Sequence, residues 1–318
     1  NLDLKIIDEV KLKENKDLHT KIDDSYNNYK LKKIPIIDYS SSSNNLKRCT
    51  KCILPETYPY IDFDKNGVCR YCRNHKKHKI KGVSELEKEL IKYKKNDNEP
   101  NCIVALSGGR DSCYGLHFLK KELGMNPIAF TYDWGFVTDL ARRNAARVCG
   151  KLGVELIIRS PNISLKRKYV RQNVQAWLKN PELGMIPLFM AGDKAFFYHA
   201  NQLKKETGIN LVVFCTGNGM EKAYYKWGLS GMKSGDETET MSKVSLKKKL
   251  NLIKYYSKNF IKNPYYLNSS LLDSAAGFFH TFIGKEESLR IYHYIKLNED
   301  KIVKTIIDEY GWETSSET

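Results

Sequence analysis

The feature that most constrains the fold is a glycine-rich loop between two regular segments. Cys102 to Leu106 is a short apolar run typical of a buried strand, and a helical stretch continues to Leu123. Between them stands Ser107-Gly108-Gly109-Arg110-Asp111-Ser112. Glycines let the backbone approach a phosphate closely, and a helix N-terminus adds free N–H groups and a positive dipole end. The sequence therefore predicts a phosphate-binding loop, with an ordinary turn as the alternative.

Strands and helices alternate after this loop. Apolar runs typical of strands cover Pro127 to Tyr132, Glu155 to Ile158 and Leu211 to Phe214, and helical stretches separate them, one of them capped by Thr138. Such alternation indicates βαβ units. We predict an α/β protein with a Rossmann-like parallel sheet and a mostly helical C-terminal region. Its ligand is expected where the strands end.

Four cysteines form two Cys-x-x-Cys pairs ahead of the strands, and the pairs are Cys49 with Cys52 and Cys69 with Cys72. Sixteen residues lie between the pairs. This spacing is typical of a zinc ribbon, in which four thiolates hold one tetrahedral Zn²⁺. The sequence therefore predicts a structural zinc site, with His75 and His78 as alternative ligands.

The composition bounds the possible partners. The chain has 318 residues, 53 Lys and Arg against 37 Asp and Glu, and a formal net charge of +16. This excess indicates an anionic partner such as nucleic acid, a membrane surface or a phosphorylated molecule, or simply a solvated lysine surface. The sequence shows no apolar run of the roughly 18 residues that a membrane helix needs and no signal-peptide pattern, so we expect a cytoplasmic protein.

Changes in composition along the chain predict five segments. Residues 1–45 have the composition of a basic flexible arm that ends in a run of Ser and Asn. The zinc ribbon is expected at 46–78 and a connecting helix, with Ser84 as its N-cap, at 79–98. The α/β domain follows at 99–225 and the helical region at 226–318. Within the last segment, residues 228–245 are polar and glycine-rich and are expected to form a loop.

The loop from Ser107 to Ser112 resembles the SGG-x-DS pyrophosphate loop of the N-type ATP pyrophosphatases, the PP-loop superfamily. Together with the cysteine pairs, the segments Tyr132–Gly135, Thr138–Asn144 and Pro187–Lys194 look like those of the N-acetyl sugar amidotransferases. These bacterial enzymes convert an acetamido group of a sugar to an acetamidino group during surface-polysaccharide (including lipopolysaccharide) or nonulosonic-acid synthesis. The resemblance extends from about Cys49 to Trp312 and implies that 99–225 is a PP-loop domain.

This resemblance implies a reaction and its cofactors, ATP and Mg²⁺. ATP is cleaved to AMP and pyrophosphate while the acetamido oxygen is adenylated, and ammonia then displaces AMP. The implied catalytic residues, which would hold Mg²⁺, supply positive charge or orient ammonia, are Asp111, Asp193, Lys194 and Glu221. The implied nucleotide-binding residues are Ser107, Gly108, Gly109, Arg110, Asp111, Ser112, Asp133, Thr216, Gly217 and Asn218. A surface or salt-bridge role remains the alternative for Asp193, Lys194 and Glu221.

The resemblance also implies a partner. No cysteine of the chain stands in an identifiable nucleophile setting with a histidine, so ammonia is expected from a separate glutaminase, a subunit pair of the type used in histidine biosynthesis. The substrate would be an N-acetyl sugar, free, nucleotide-linked or acidic.

Two other functions remain open. Some tRNA thiolases also place a double Cys-x-x-Cys ribbon before an SGG-x-DS loop, and a surface of charge +16 suits a phosphate backbone. That function would bring Cys149 and Cys215 together, for example around an iron–sulfur cluster. The residues after Gly217 depart from the Gly-His-x-x-Asp-Asp stretch of those enzymes. The third possibility is a zinc-ribbon interaction module attached to an inactive nucleotide-binding fold.

Overall fold

A five-stranded parallel sheet forms the centre of the structure. The computed structural model describes residues 46–75, 79–94, 99–188, 195–217, 246–282 and 288–315. The strands are β1 (Cys102–Ala105), β2 (Pro127–Tyr132), β3 (Leu156–Arg159), β4 (Val212–Phe214) and β5 (Leu289–Arg290). They lie in the order β3-β2-β1-β4-β5, and every neighbouring pair is parallel. The predicted α/β fold class is confirmed.

The described helices, in chain order, are α1 (Arg70–Arg73), α2 (Val83–Ile91), α3 (Arg110–His117), α4 (Asp139–Leu152), α5 (Ile163–Lys179), α6 (Ala195–Thr207), α7 (Leu246–Lys262), α8 (Leu271–Phe282) and α9 (Glu299–Tyr310). A π-helical turn, Phe118–Glu122, extends α3. Short 3-10 segments occupy Leu183–Leu188, Pro264–Tyr266 and Ile291–His293. The C-terminal region is therefore mostly helical, as predicted. None of the described helices meets the length and apolarity that a membrane span requires.

Helices cover both faces of the sheet, because alternate strand residues point to opposite sides. Val104 and Val213 belong to a core cluster shared with α2, α3, α4 and α9. Ile103 and Val212 belong to a second cluster, which includes Phe130 and residues of α6. Burial on both faces explains why the three central strands, β2, β1 and β4, are almost continuously apolar, as is usual in parallel sheets.

Side-chain caps fix where several helices begin. The Thr138 hydroxyl accepts a hydrogen bond from the Ala141 N–H at the start of α4, as the sequence predicts. Asn298 caps α9 in the same way. The prediction that Ser84 caps α2 is wrong, since the helix begins at Val83 and its N-cap is Gly82, without a side-chain hydrogen bond.

The four-cysteine segment forms a small folded region ahead of the sheet. Two isolated antiparallel bridges, Arg48 with Pro55 and Phe63 with Cys69, define its turns. The rings of Tyr58 and Tyr71 meet edge to face, with their centroids 5.3 Å apart. The region has a small hydrophobic core of its own, with Cys49, Cys69 and Tyr71 as its buried members, so a metal ion bound by the four cysteines would add much of its stability.

Candidate functional site

The strand order places the predicted loop at the point where the chain changes direction across the sheet. From β1 the chain proceeds outward through β2 and β3 on one side, and β4 and β5 lie on the other. In open α/β sheets ligands bind in the crevice at the carboxyl ends of the strands at such a switch point. Residues 107–112 follow β1 and residues 215–217 follow β4, so both segments lie at this crevice.

Two serine side chains close the loop. The Ser112 Oγ accepts a hydrogen bond from the Ser107 N–H at 3.1 Å and donates to the Gly109 carbonyl at 3.0 Å. The Ser107 Oγ lies 3.0 Å from the Ser112 Oγ and accepts from the Gly109 N–H at 3.3 Å. The loop leads directly into α3, and the first N–H groups of a helix have no acceptor within it. This arrangement can receive an anion.

Gly108 occupies a position where any other residue would strain the backbone and clash with α4. Its φ is +78°, and a Cβ added there would lie 2.0 Å from the Ala141 carbonyl oxygen in the first turn of α4. The loop therefore packs directly on the backbone of α4. Glycine is required here both by its conformation and by the close approach.

Two charged residues of the loop already have partners. The Arg110 Nε donates to the Asp111 Oδ1 at 2.8 Å, and the guanidinium also pairs with Glu299 at the start of α9. The Asp111 carboxylate remains beside the loop with a quarter of its side chain exposed. A carboxylate at this place suits Mg²⁺, which prefers oxygen ligands. Its assignment as a magnesium ligand stays a prediction.

Asp133 directly follows β2, and each of its two carboxylate oxygens accepts one hydrogen bond. The Gly135 N–H donates to Oδ1 at 3.0 Å, and the Arg142 Nε donates to Oδ2 at 2.7 Å. The bond from Arg142 lowers the pKa of Asp133 below its ordinary value, against the opposing effect of burial. Asp133 thus anchors α4 to the end of β2, and its predicted role on the adenosine side must be compatible with this anchoring.

The segment after β4 packs against the turn that follows β5. A Cβ on Gly217 would lie 2.4 Å from the Tyr292 backbone, and the Thr216 carbonyl accepts from the Tyr292 N–H at 3.2 Å. The Thr216 Oγ1 is buried and has no hydrogen-bond partner among the described residues. A buried hydroxyl without a partner is unfavourable, so a ligand in the crevice or a residue outside the described ones could supply its hydrogen-bond partner.

Four of the predicted site residues fall outside the described residues, namely Asp193, Lys194, Asn218 and Glu221. Their assignments stay predictions.

The four predicted ligand cysteines come together. Their Sγ atoms all lie within 4.8 Å of one another, and the described residues contain no other such group of three or more His, Cys, Asp or Glu ligands. The Cys49 and Cys72 sulfurs are 3.9 Å apart and those of Cys52 and Cys69 are 3.6 Å apart. Tetrahedral zinc with Zn–S bonds of about 2.3 Å places its sulfurs about 3.8 Å apart. His75 is not part of the group, and His78 lies outside the described residues.

Hydrogen bonds to one of the four sulfurs favour its thiolate form. Burial raises the pKa of the Cys49 thiol, but N–H groups of Cys69, Lys51 and Cys52 outweigh it and lower the pKa to about 6. In contrast, burial raises the pKa of Cys72 strongly. The separations suit one ion bound by four sulfurs. An iron–sulfur cube would hold its ligands farther apart, since each sulfur bonds to a different iron.

The remaining cysteines are buried in the core, where their thiols are expected to be unreactive. Burial raises the pKa of Cys102, Cys113 and Cys149 to about 12 and raises that of Cys215 further. The Cys215 thiol packs against Gly115 and lies 3.8 Å from the Ser112 carbonyl oxygen. Reactive cysteines need a lowered pKa, and these have the opposite.

The sequence analysis missed three residues that contact the loop from the C-terminal region. The Tyr292 hydroxyl donates to the Asp111 carbonyl at 2.7 Å, the Trp312 indole N–H donates to the Gly108 carbonyl at 3.0 Å, and Glu299 pairs with Arg110. These partners lie far along the chain from the loop, and no local pattern marks them. Of the three, only Trp312 is mentioned in the sequence analysis, as the position where the family resemblance ends.

Comparisons with known proteins give limited similarities. No family model matches the chain. An uncharacterized protein of Methanocaldococcus jannaschii is 30% identical over 115 residues, which are 35% of this chain and 42% of that protein. The chain thus matches less than half the length of this relative.

Among solved structures, an NH3-dependent NAD synthetase from Campylobacter jejuni superposes with a TM-score of 0.31 at 13% identity, covering 62% of this chain and 92% of its own. A U34-tRNA thiolase from Methanococcus maripaludis with a [4Fe-4S] cluster gives a TM-score of 0.31 at 14% identity, covering 86% and 74%. The fold of this chain is defined by its own strand order and by the loop that follows β1.

Proposed function

We propose that this chain is an ATP-dependent enzyme of the PP-loop type that converts the acetamido group of an N-acetyl sugar to an acetamidino group. The observation that carries the proposal is the loop from Ser107 to Ser112, closed by its two serines and followed by α3, at the switch point between β1 and β4. A loop of this kind binds the phosphates of a nucleotide.

The proposed chemistry activates a poor electrophile. The amide oxygen attacks the α-phosphorus of ATP, the bond to pyrophosphate breaks, and pyrophosphate leaves into the loop. Ammonia then adds to the amide carbon, AMP departs with the oxygen, and the nitrogen loses a proton to give the amidine. Such steps depend mainly on positioning and on neutralising charge.

Described residues suit these tasks. The Ser107 and Ser112 hydroxyls and the N–H groups at the start of α3 would bind the leaving pyrophosphate, and Arg110 lies beside them. Mg²⁺, when bound, would neutralise phosphate charge, and Asp111 is the described carboxylate placed to hold it. Asp193, Lys194 and Glu221 complete the proposed set by resemblance.

The choice of sugar amidation over sulfur transfer rests on the family resemblance and on the cysteines. Sulfur transfer through Cys149 or Cys215 would need a reactive thiolate, whereas burial raises the pKa of both thiols. Zn²⁺ in the four-cysteine site would then have a structural role. Ammonia would come from a separate glutaminase pair, and we expect the enzyme in the cytoplasm.

The decisive experiment supplies ATP, Mg²⁺ and ammonium with a panel of free and nucleotide-linked N-acetyl sugars. We expect AMP, pyrophosphate and a product in which O is replaced by NH, detected by mass spectrometry. Parallel reactions with tRNA and a sulfur donor test the alternative, and AMP release that requires them would contradict the proposal.

A matched pair of variants connects the activity to the loop. Ser112→Ala removes the hydroxyl that closes it and is expected to lower AMP formation about tenfold or more. Ser270→Ala removes another buried hydroxyl, which donates to Asn173 at 3.0 Å, and is expected to keep ATP turnover. ATP binding without pyrophosphate release in the wild type would instead favour an inactive nucleotide-binding module.

A further inference from the structure

We infer that Trp312 is a positioning residue that holds the peptide between Gly108 and Gly109 in the orientation that binds pyrophosphate. The inference rests on the proposed use of this loop for ATP, and it concerns a residue that follows α9, 204 positions after Gly108 in the chain. Its basis is the hydrogen bond from the Trp312 indole N–H to the Gly108 carbonyl, at 3.0 Å.

The geometry of a peptide unit gives this bond its consequence. In a planar trans peptide the C=O and the following N–H point in opposite directions. Trp312 holds the Gly108 carbonyl on its own side, so the Gly109 N–H points to the other side, where it meets the Ser107 Oγ at 3.3 Å. A flip of this peptide would aim a carbonyl oxygen, with its partial negative charge, at the phosphates.

This peptide is the one in the loop that flips most easily. It joins two glycines, and glycine occupies positive and negative φ with similar ease. The neighbouring serine contacts do not hold the Gly108 carbonyl, and the bond from Trp312 does. Two bonds therefore hold this peptide: the Gly109 N–H donates to the Ser107 Oγ at 3.3 Å within the loop, and the Trp312 indole donates to the Gly108 carbonyl at the shorter distance of 3.0 Å from outside it.

The tail that carries Trp312 is itself fixed to α4. The Glu313 N–H donates to the Asn144 Oδ1, and the Asn144 Nδ2 donates to the Glu313 carbonyl, each at 2.9 Å. The Glu313 carboxylate pairs with Arg147 at 2.8 Å, and Arg147 also donates to the Gly311 carbonyl at 2.7 Å. Because Ala141 of the same helix forms the wall against Gly108, tail and helix together enclose the loop.

The test makes the same substitution, Trp to Phe, at two positions and compares the effects. Trp312→Phe removes the indole donor and keeps most of the aromatic surface. Trp177→Phe is the matched control, because its indole N–H also donates to a backbone carbonyl at 3.0 Å, that of Glu182. We expect Trp312→Phe to weaken pyrophosphate binding and raise the KM for ATP about tenfold, as loss of one oriented hydrogen bond would. Trp177→Phe should change neither.

A second measurement reports the loop without any ligand. Hydrogen–deuterium exchange of a peptide containing residues 107–112 should be faster in Trp312→Phe than in the wild type and unchanged in Trp177→Phe. Should Trp312→Phe fold poorly, Glu313→Gln keeps the indole and loosens its anchor, and a smaller effect in the same direction is expected.

The outcomes separate this inference from the proposed function. Equal pyrophosphate affinity and equal exchange in the wild type and Trp312→Phe would overturn the inference alone. A wild type that binds pyrophosphate but amidates no sugar, with weaker binding in Trp312→Phe, would support the inference and contradict the proposed reaction. A wild type that binds neither ATP nor pyrophosphate would contradict both.

Discussion

At the scale of single residues, the candidate site depends on what surrounds one glycine. Gly108 lies between the backbone of α4 at Ala141 and the indole of Trp312. Its neighbours fix its position from two sides, and the serines fix the rest of the loop from within. A side chain at this position would therefore disturb both the loop and its support.

Replacement of this glycine gives a direct prediction. Gly108→Ala places a Cβ against the Ala141 carbonyl and adds the cost of a positive φ, so we expect a loss of about 3 kcal/mol in the free energy of unfolding, with loss of ATP binding. Gly124→Ala is the control, since Gly124 has φ +62° and nothing within 4 Å of the added Cβ. It should cost about 1 kcal/mol and keep ATP binding.

Urea unfolding and calorimetric ATP titration measure the two effects. A Gly108→Ala protein that binds ATP like the wild type would show that the loop does not approach the phosphates, and it would count against the site itself.

The loop was predictable from the sequence, and its supports were not. Two glycines and two serines after an apolar run carry a local signal. Trp312, Tyr292 and Glu299 carry none, because they reach the loop only through tertiary packing of α9 and the turn after β5. A glycine pair directly after a predicted strand indicates a tight loop from the local sequence alone. A tryptophan near the end of a helix gives no such local indication of its contacts.

At the scale of elements, apolar runs in the sequence predict four of the five described strands and miss the shortest one. Strand β2, Pro127–Tyr132, has the predicted bounds. Strand β5 contains two residues, Leu289–Arg290, and pairs with β4 only at the sheet edge, so it leaves no periodic pattern. The alternation of strands and helices predicts the parallel sheet, whereas the position of β4 beside β1 becomes visible only in the fold.

The four-cysteine region is an element that we expect to depend on a metal. Cys52→Ser should abolish stoichiometric zinc binding and unfold residues 48–73, because the small core there gains its stability from the bound ion. Cys149→Ala alters a buried cysteine outside the group and should leave the zinc content unchanged. Elemental analysis measures both, with hydrogen exchange reporting the fold of the region. Iron in place of zinc, accompanied by sulfide, would contradict the assignment.

At the scale of the whole molecule, the net charge is +16, and the basic side chains are paired with acidic ones in some of the described elements and not in others. Arginines of α4 are paired with carboxylates, as in Arg142 with Asp133 and Arg147 with Glu313. Helix α7 instead contains six lysines and no acidic residue. The positive charge is therefore of two kinds: arginines beside the loop are paired within the fold, and we expect the lysine-rich helix to attract anions without specificity.

This separation predicts different salt dependences for two measured quantities. Unspecific binding of bulk tRNA should weaken steeply with KCl, because each phosphate contact releases counterions, and about six contacts correspond to a loss near a thousandfold between about 50 and 200 mM. Sugar-dependent AMP formation should change only a few-fold over the same range, because directed hydrogen bonds of the loop would hold the nucleotide. Filter binding of tRNA and an AMP assay on one preparation compare the two salt dependences.

If AMP formation instead required tRNA and fell with salt in parallel with tRNA binding, the positive surface would belong to the substrate site, and the tRNA-modifying function would replace the proposed one.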